Sequence, residues 1–123
     1  MPSKWKRSGG YKFRDADIRK CIYLWCSNQA EAESKYGHIS EWNVSSVTNM
    51  KELFSRVEFN DDISAWNVSQ VTNMRGMFHG AAAFDQYIGT WNISLVTDLS
   101  NMFHGAVSFN QSLNRWNTSN VTI

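Results

Sequence analysis

An α/β repeat solenoid with an N-terminal helical cap is the fold class this sequence predicts, and three observations predict it. Tryptophan returns at Trp42, Trp66, Trp91 and Trp116, spaced 24, 25 and 25 residues apart. Each opens one phrase, WNVSSVTNM, WNVSQVTNM, WNISLVTDL and WNTSNVTI. The residues before position 38 lack that phrase and carry helix punctuation instead. A fixed period of this length means stacked coils that contact only their neighbours, with function spread over a repeated face. The chain divides into a basic arm at 1–14, a helical cap at 15–37 and a solenoid of about 3.5 repeats of 24–25 residues at 38–123.

The repeats align in apolar columns: Val44, Val68 and Ile93; Val47, Val71 and Val96; Met50, Met74 and Leu99; Leu53, Met77 and Met102; Phe54, Phe78 and Phe103; Phe59, Phe84 and Phe109; Ile63, Ile88 and Leu113. One coil cannot bury such a row alone, whereas stacked coils cover one another. Within a coil, the stretch through each tryptophan alternates polar with apolar residues and reads as a short strand. Thr48, Thr72 and Thr97 then stand where helix N-caps belong, before apolar residues at helical spacing over 50–54, 74–78 and 99–103. His79-Gly80 and His104-Gly105 read as helix stops, a cation-capable side chain followed by a left-handed glycine. In the first coil Arg56 replaces that glycine, and Phe54 to Phe59 is one residue shorter than Phe78 to Phe84, so its helix must end differently.

The cap is read from a stripe and a capping signal. Ile18, Cys21, Ile22 and Trp25 fall at i, i+3, i+4 and i+7 behind Asp15 or Asp17 as N-cap. Asn28, with Glu31 three residues on, opens a second short helix that stops at Gly37. The pair is expected to cover the exposed end of the first coil. At the other end the sequence breaks off at Val121-Thr122-Ile123, so the fourth coil lacks its Met–Met–Phe face. That leaves either an open apolar edge or a truncated longer array.

The pattern W-N-V-S-x-V-T-N-M-x-x-M-F-x-x-A-x-x-F-N-x-x-I resembles the repeat of BspA-like surface proteins, first recorded as a domain of unknown function in mycoplasma lipoproteins and distantly leucine-rich-repeat-like. Residues from about Gly37 to Ile123 fit it, and Leu24-Trp25-Cys26 with Tyr36-Gly37-His38-Ile39 resemble the lead-in of such proteins. The resemblance implies leucine-rich-repeat-like coils and a surface or interaction role, and it implies no reaction.

Composition fits one small domain, with 42% hydrophobic and 14% aromatic residues and a single proline. No apolar run approaches the ~20 residues that cross a bilayer. The start, MPSKWKRSGGYKF, has basic residues without an apolar run behind them, so it does not read as a secretory signal. The compartment is left open: either the chain stays inside the cell, the expectation slightly preferred to the cell surface, or its start has been processed or engineered. Net charge is +1, but residues 1–20 hold seven Lys or Arg against two Asp, leaving −4 for the rest. Such an arm, carrying Lys4, Trp5, Lys6 and Arg7, is a solvated terminus, a strap across the acidic coils, or a holder of nucleic acid, anionic lipid or an acidic protein groove. The solvated arm or strap is preferred and nucleic acid is disfavoured.

No catalytic constellation emerges: there is no G-x-S-x-G, no phosphate loop and no paired acid and base. Cys21 and Cys26, five apart, point about 140° apart on a helix, which argues for two buried thiols without a disulfide. His79 and His104, in equivalent positions ~5 Å apart, could share a metal ion, yet no third ligand recurs with them. Asn60-Asp61-Asp62 suggests calcium, but the later coils carry Asp85-Gln86-Tyr87 and Asn110-Gln111-Ser112, so a solvated loop is the better account. No cofactor and no metal is expected. The columns of Asn43, Asn67, Asn92 and Asn117, of Ser45, Ser69, Ser94 and Ser119, and of Thr48, Thr72, Thr97 and Thr122 are expected to satisfy backbone groups at corners. The asparagines also form N-x-S sequons, and recurrent threonine raises the lesser alternative of an ice-binding face.

The function expected is a non-enzymatic protein–protein interaction scaffold, a subunit or linker in a larger assembly. Its candidate partner-binding residues are Lys4, Trp5, Lys6 and Arg7 on the arm and Trp116, Val121 and Ile123 at the C-terminal edge, where self-association is also open. The alternative is an extracellular adhesin-like module that binds glycans or host proteins.

Overall fold

The computed structural model describes residues 10–123, so Lys4, Trp5, Lys6 and Arg7 lie outside the described residues. Helix α1 (Ile18–Ser27) buries Ile18, Cys21, Ile22 and Trp25, the stripe that the spacing marks. Helix α2 (Gln29–Tyr36) begins behind Asn28, whose side chain accepts the Glu31 amide at 3.3 Å, and ends at Gly37 with φ 80. A 3-10 turn, Ile39–Glu41, leads into the repeats. Asp17 precedes α1 without capping it, and its carboxylate instead accepts the Arg14 amide at 2.8 Å and the Tyr11 hydroxyl. Both cysteines are free, with Cys21 buried as expected and Cys26 exposed, against expectation.

Past Glu41 the described residues hold no helix and no sheet. Strand pairing is confined to three isolated parallel bridges, Lys12 with Asn43, Asn49 with Asn73, and Asn73 with Asp98. The expectation of an α/β solenoid with leucine-rich-repeat-like coils is therefore overturned. Where helices were expected, the chain makes consecutive tight turns instead. Met50 O accepts the Leu53 amide at 3.2 Å and Phe54 O accepts that of Val57 at 3.4 Å, with left-handed Glu52 (φ 56) and Arg56 (φ 59) third in each turn. Gly76 and Gly80, then Asn101 and Gly105, repeat the arrangement at φ 58, 70, 58 and 78.

A left-handed residue every fourth position turns alternate amides away from the helical path and toward the next coil. Met50, Glu52, Phe54 and Arg56 donate to the carbonyls of Asn73, Arg75, Met77 and His79 at 2.7–2.8 Å. Met74, Gly76, Phe78 and Gly80 donate to those of Asp98, Ser100, Met102 and His104 at 2.7–3.0 Å. An α-helix would instead return each amide four residues back. The apolar spacing i, i+3, i+4 serves either arrangement. Here the neighbouring coil supplies both hydrogen-bond acceptors and packing partners, and tertiary packing of this kind outweighs local helix propensity.

The coils are locked by stacked rings. Phe54 lies parallel to Phe78 at 5.5 Å and 2°, and Phe78 to Phe103 at 5.8 Å and 5°. Phe59, Phe84 and Phe109 form a second column at 6.1 and 5.8 Å, and within coils Phe54 meets Phe59 at 4.2 Å and Phe78 meets Phe84 at 4.0 Å. Each buried indole finds an acceptor, as buried Trp requires: Trp66 Nε1 donates to Ile39 O at 2.8 Å, and Trp91 Nε1 to Ile63 O at 3.0 Å. Those carbonyls also accept the backbone amides of Trp42 and Trp66, so each isoleucine carbonyl joins two successive coils.

Polar columns hold the corners. Asn67 and Asn92 each accept the amide of the serine two residues on, at 3.0 Å, as expected of stacked corner residues. The threonines do not cap helices: Thr72 Oγ1 donates to Thr48 O at 3.3 Å and Thr97 Oγ1 to Thr72 O at 3.2 Å, tying coil to coil. The loop at Asn60 is solvated, as expected, and its exposed side chains also form a ladder between coils. Asn60 Oδ1 accepts the Asp85 amide at 2.8 Å, and Asp85 Oδ1 accepts that of Asn110 at 2.9 Å. The Gln111 amide and this backbone donor hold the Asp85 carboxyl below the usual carboxylate range.

At the base of the stack two side chains stand in for a missing coil. Asp15 accepts the Thr48 amide at 2.8 Å and the Thr48 hydroxyl at 2.6 Å, bonds that Thr72 makes to the Thr48 carbonyl one coil up. Arg19 donates to the carbonyls of Lys51 and Asn49. Phe13 completes the base by stacking on Trp42 at 4.4 Å and 23°. Partial burial pulls the Asp15 carboxyl upward, but hydrogen bonds from Thr48 and Asn49 and the Arg19 charge outweigh it and leave its pKa lowered.

Candidate functional site

The expected C-terminal residues sit on the upper face of the last described coil. Trp116 is half-buried, its indole donating to Ile88 O at 3.0 Å. Val121 is half-buried, and Ile123 is 65% exposed while its carbonyl accepts the Leu99 amide at 3.0 Å. The ring columns show what this face lacks. Phe54, Phe78 and Phe84 are sealed, whereas Phe103 and Phe109 in the same columns are only partly buried, as are Leu113 and Trp116.

Backbone groups follow the rings. The amides of Asn101, Phe103 and Gly105 have no acceptor among the described residues, although their counterparts at 52, 54, 56 and at 76, 78, 80 all donate upward. Among the described residues the Leu113 carbonyl accepts only the Trp116 amide, while those of Ile39, Ile63 and Ile88 each take an indole as well. Three alternate donors beside half-exposed rings can take one extended backbone with apolar side chains, the chemistry of strand addition.

Other candidates are set apart by geometry. The rings of His79 and His104 lie 5.2 Å apart, tilted by 38°, and no group of three His, Cys, Asp or Glu gathers to hold a metal among the described residues. Neither histidine ends a helix. His79 donates its backbone amide to Gly76 O at 3.0 Å inside the turn series. A depression of about 310 Å³ beside α1 and α2 includes Lys20, Lys35 and Glu31, of which Lys35 and Glu31 pair with each other at 3.3 Å. No helix among the described residues is long and apolar enough to cross a membrane.

One feature went unread in the sequence. Where the first coil is a residue short, a notch of about 210 Å³ opens between Arg56, Val57 and Glu58 below and Gly80, Ala82 and Ala83 above. The signal was present as the shortened Phe54–Phe59 interval and the arginine at a glycine position. Reading that stretch as a helix end hid it.

Turn-built coils bearing periodic side-chain columns define a protein of stacked sequence repeats. Residues 25–123 match the family described as Mycoplasma protein of unknown function, DUF285, and the chain belongs to that family, which is related to BspA-like repeat proteins. No curated protein and no solved structure matches the chain.

Proposed function

We propose that this chain is a non-enzymatic protein–protein interaction scaffold that serves as a subunit or linker in a larger assembly. The observation that supports the reading is the upper face formed by the third coil and the partial fourth. Its amides at 101, 103 and 105 have no acceptor among the described residues, and its rings at 103, 109 and 116 are partly buried while their inner copies are sealed. An extended segment with apolar side chains, whether of a further repeat or of a partner, satisfies both needs. Trp116, Val121 and Ile123 flank that segment, and the basic residues Lys4, Lys6 and Arg7 offer a second, electrostatic contact.

The second reading is an extracellular, BspA-like surface module that binds glycans or host proteins, and membership of a family related to BspA-like repeats favours it. Isolation of the native protein with cross-linking and mass spectrometry separates the two. A stoichiometric protein partner cross-linked within residues 99–123 supports the scaffold. A surface-exposed, sugar-binding native form without such a partner supports the second reading and contradicts the first.

A further inference from the structure

We propose that the partner segment which closes the upper face is acidic. It sets carboxylate side chains over the amides of Asn101, Phe103 and Gly105 and an aromatic or aliphatic side chain against Phe103 and Trp116. This rests on the scaffold reading and names the chemistry of the partner. Three features of the stack point to it.

The first is the polarity of the ladder. The peptide units that join 73–74, 75–76, 77–78 and 79–80 each accept from the coil below through their carbonyl and donate to the coil above through their amide. The units at 100–101, 102–103 and 104–105 accept in the same way, from Gly76, Phe78 and Gly80. All these units point in one direction, and aligned peptide dipoles leave positive partial charge at their N–H end. The upper edge therefore offers donors at 101, 103 and 105 while the carbonyls of the same units face down. An ordinary strand edge presents amides together with its carbonyls, and those amides find no acceptor along this row. Carboxylates bring acceptors alone, and a charged acceptor strengthens each bond.

The second is how the protein closes its own lower face. There the Asp15 carboxylate takes the Thr48 amide at 2.8 Å and the Thr48 hydroxyl at 2.6 Å, while the Arg19 guanidinium takes the carbonyls of Asn49 and Lys51. An open donor is met by an acid and open acceptors by a base. The same polarity disfavours a second copy as occupant. Two upper faces set donors against donors, and a lower face meets an upper one only after Arg19 releases those carbonyls.

The third is charge. Residues 38–98 hold seven Asp or Glu against three Lys or Arg, whereas residues 99–123 hold no Asp or Glu and one arginine, Arg115. Asp98, at the margin, has its Oδ1 occupied by the Ser100 amide at 2.9 Å and hydroxyl at 2.6 Å. The donor row thus lies in the one part of the repeats without opposing side-chain carboxylates, and the acidic coils below repel an acidic segment from other positions.

The test is titration of the full chain with short blocked peptides that alternate phenylalanine with glutamate, glutamine or lysine, followed by amide chemical shifts. The glutamate peptide is expected to give saturable shifts at Asn101, Phe103, Gly105 and the Trp116 indole, weakening as salt rises. Binding of the glutamine peptide is expected to be at least tenfold weaker, and the lysine peptide is expected not to bind. Asn101 is exposed and left-handed at φ 58, a conformation that aspartate also tolerates. Asn101→Asp is therefore expected to keep the melting temperature while weakening the glutamate peptide at least tenfold and leaving the glutamine peptide unchanged. Equal binding of the glutamate and glutamine peptides, or no saturable shifts with any of them, overturns the acidic partner. So does a native chain whose further repeat is cross-linked over residues 101–105. The scaffold reading fails separately, if the native protein carries no cross-linked partner within residues 99–123.

Discussion

The lower and upper faces of the described stack are covered to different degrees. Below, residues 10–37 close the first coil with side chains: Phe13 covers Trp42, Asp15 replaces a carbonyl, and Arg19 replaces backbone donors. Above, the third coil leaves the amides of Asn101, Phe103 and Gly105 and the rings of Phe103 and Phe109 without such cover among the described residues. The interior coils lie between these extremes, each closed by its neighbour through backbone ladders and ring columns. A coil here has no stability of its own; what seals it is whatever stands in the register of the next coil, whether backbone or side chain.

That comparison can be broken at the interior first. Phe78 is fully buried and stacks on Phe54, Phe84 and Phe103, so Phe78→Ala removes contacts in three directions and is expected to destabilise by ~3–5 kcal/mol. Trp66→Ala falls in the same range and also leaves one lone pair of the Ile39 carbonyl unused. Chemical denaturation measures both, and unchanged midpoints contradict the column packing.

The lower end tests the side-chain substitute. Asp15→Ala removes the acceptor of the Thr48 amide and hydroxyl at a solvent-exposed site, with an expected loss of about 0.5–1 kcal/mol. The sign of the pH dependence follows from the lowered carboxyl pKa in the folded protein. Its stabilisation is complete above the unfolded value of about 3.9 and disappears as pH falls through the lower folded value. Thermal melts between roughly pH 2 and 5 are expected to fall more steeply for the natural chain than for Asp15→Asn. Parallel slopes for the two proteins contradict the substitution of carboxylate for carbonyl.

An effect of opposite sign comes from the first coil. Arg56→Gly relieves a left-handed arginine and is expected to gain about 1 kcal/mol, a change that calorimetry resolves.

The cap was legible in the sequence because its signals are local. The apolar stripe from Ile18 to Trp25 and the Asn28–Glu31 capping pair are each satisfied within one helix turn or two, and the structure places α1 and α2 on them. The columns were equally legible, since a fixed period forces equivalent residues into register. What misled was the interior of each coil. Met74, Met77 and Phe78 have helical spacing, but Gly76 between them and Gly80 after them are both left-handed, and the amides between go to another coil. A glycine in the middle of so short an expected helix was the available warning. In the first coil Glu52 and Arg56 hold the same left-handed positions, and in the third Asn101 does, with no glycine to announce it. The choice there is made by the acceptors of the adjacent coil, which no single repeat encodes. The same non-locality hid the notch, which exists only as a difference in length between two stacked coils.

The central claim is that the segments at 50–56, 74–80 and 99–105 are inter-coil turn ladders rather than helices, and Gly76→Ala tests it through a sign. Inside a helix, replacing glycine with alanine stabilises by roughly 0.5–1 kcal/mol. At φ 58, with the new Cβ only 3.2 Å from Glu52 Cγ, it is expected to destabilise by about 1 kcal/mol or more. A denaturation midpoint that falls supports the ladder, and one that rises contradicts it.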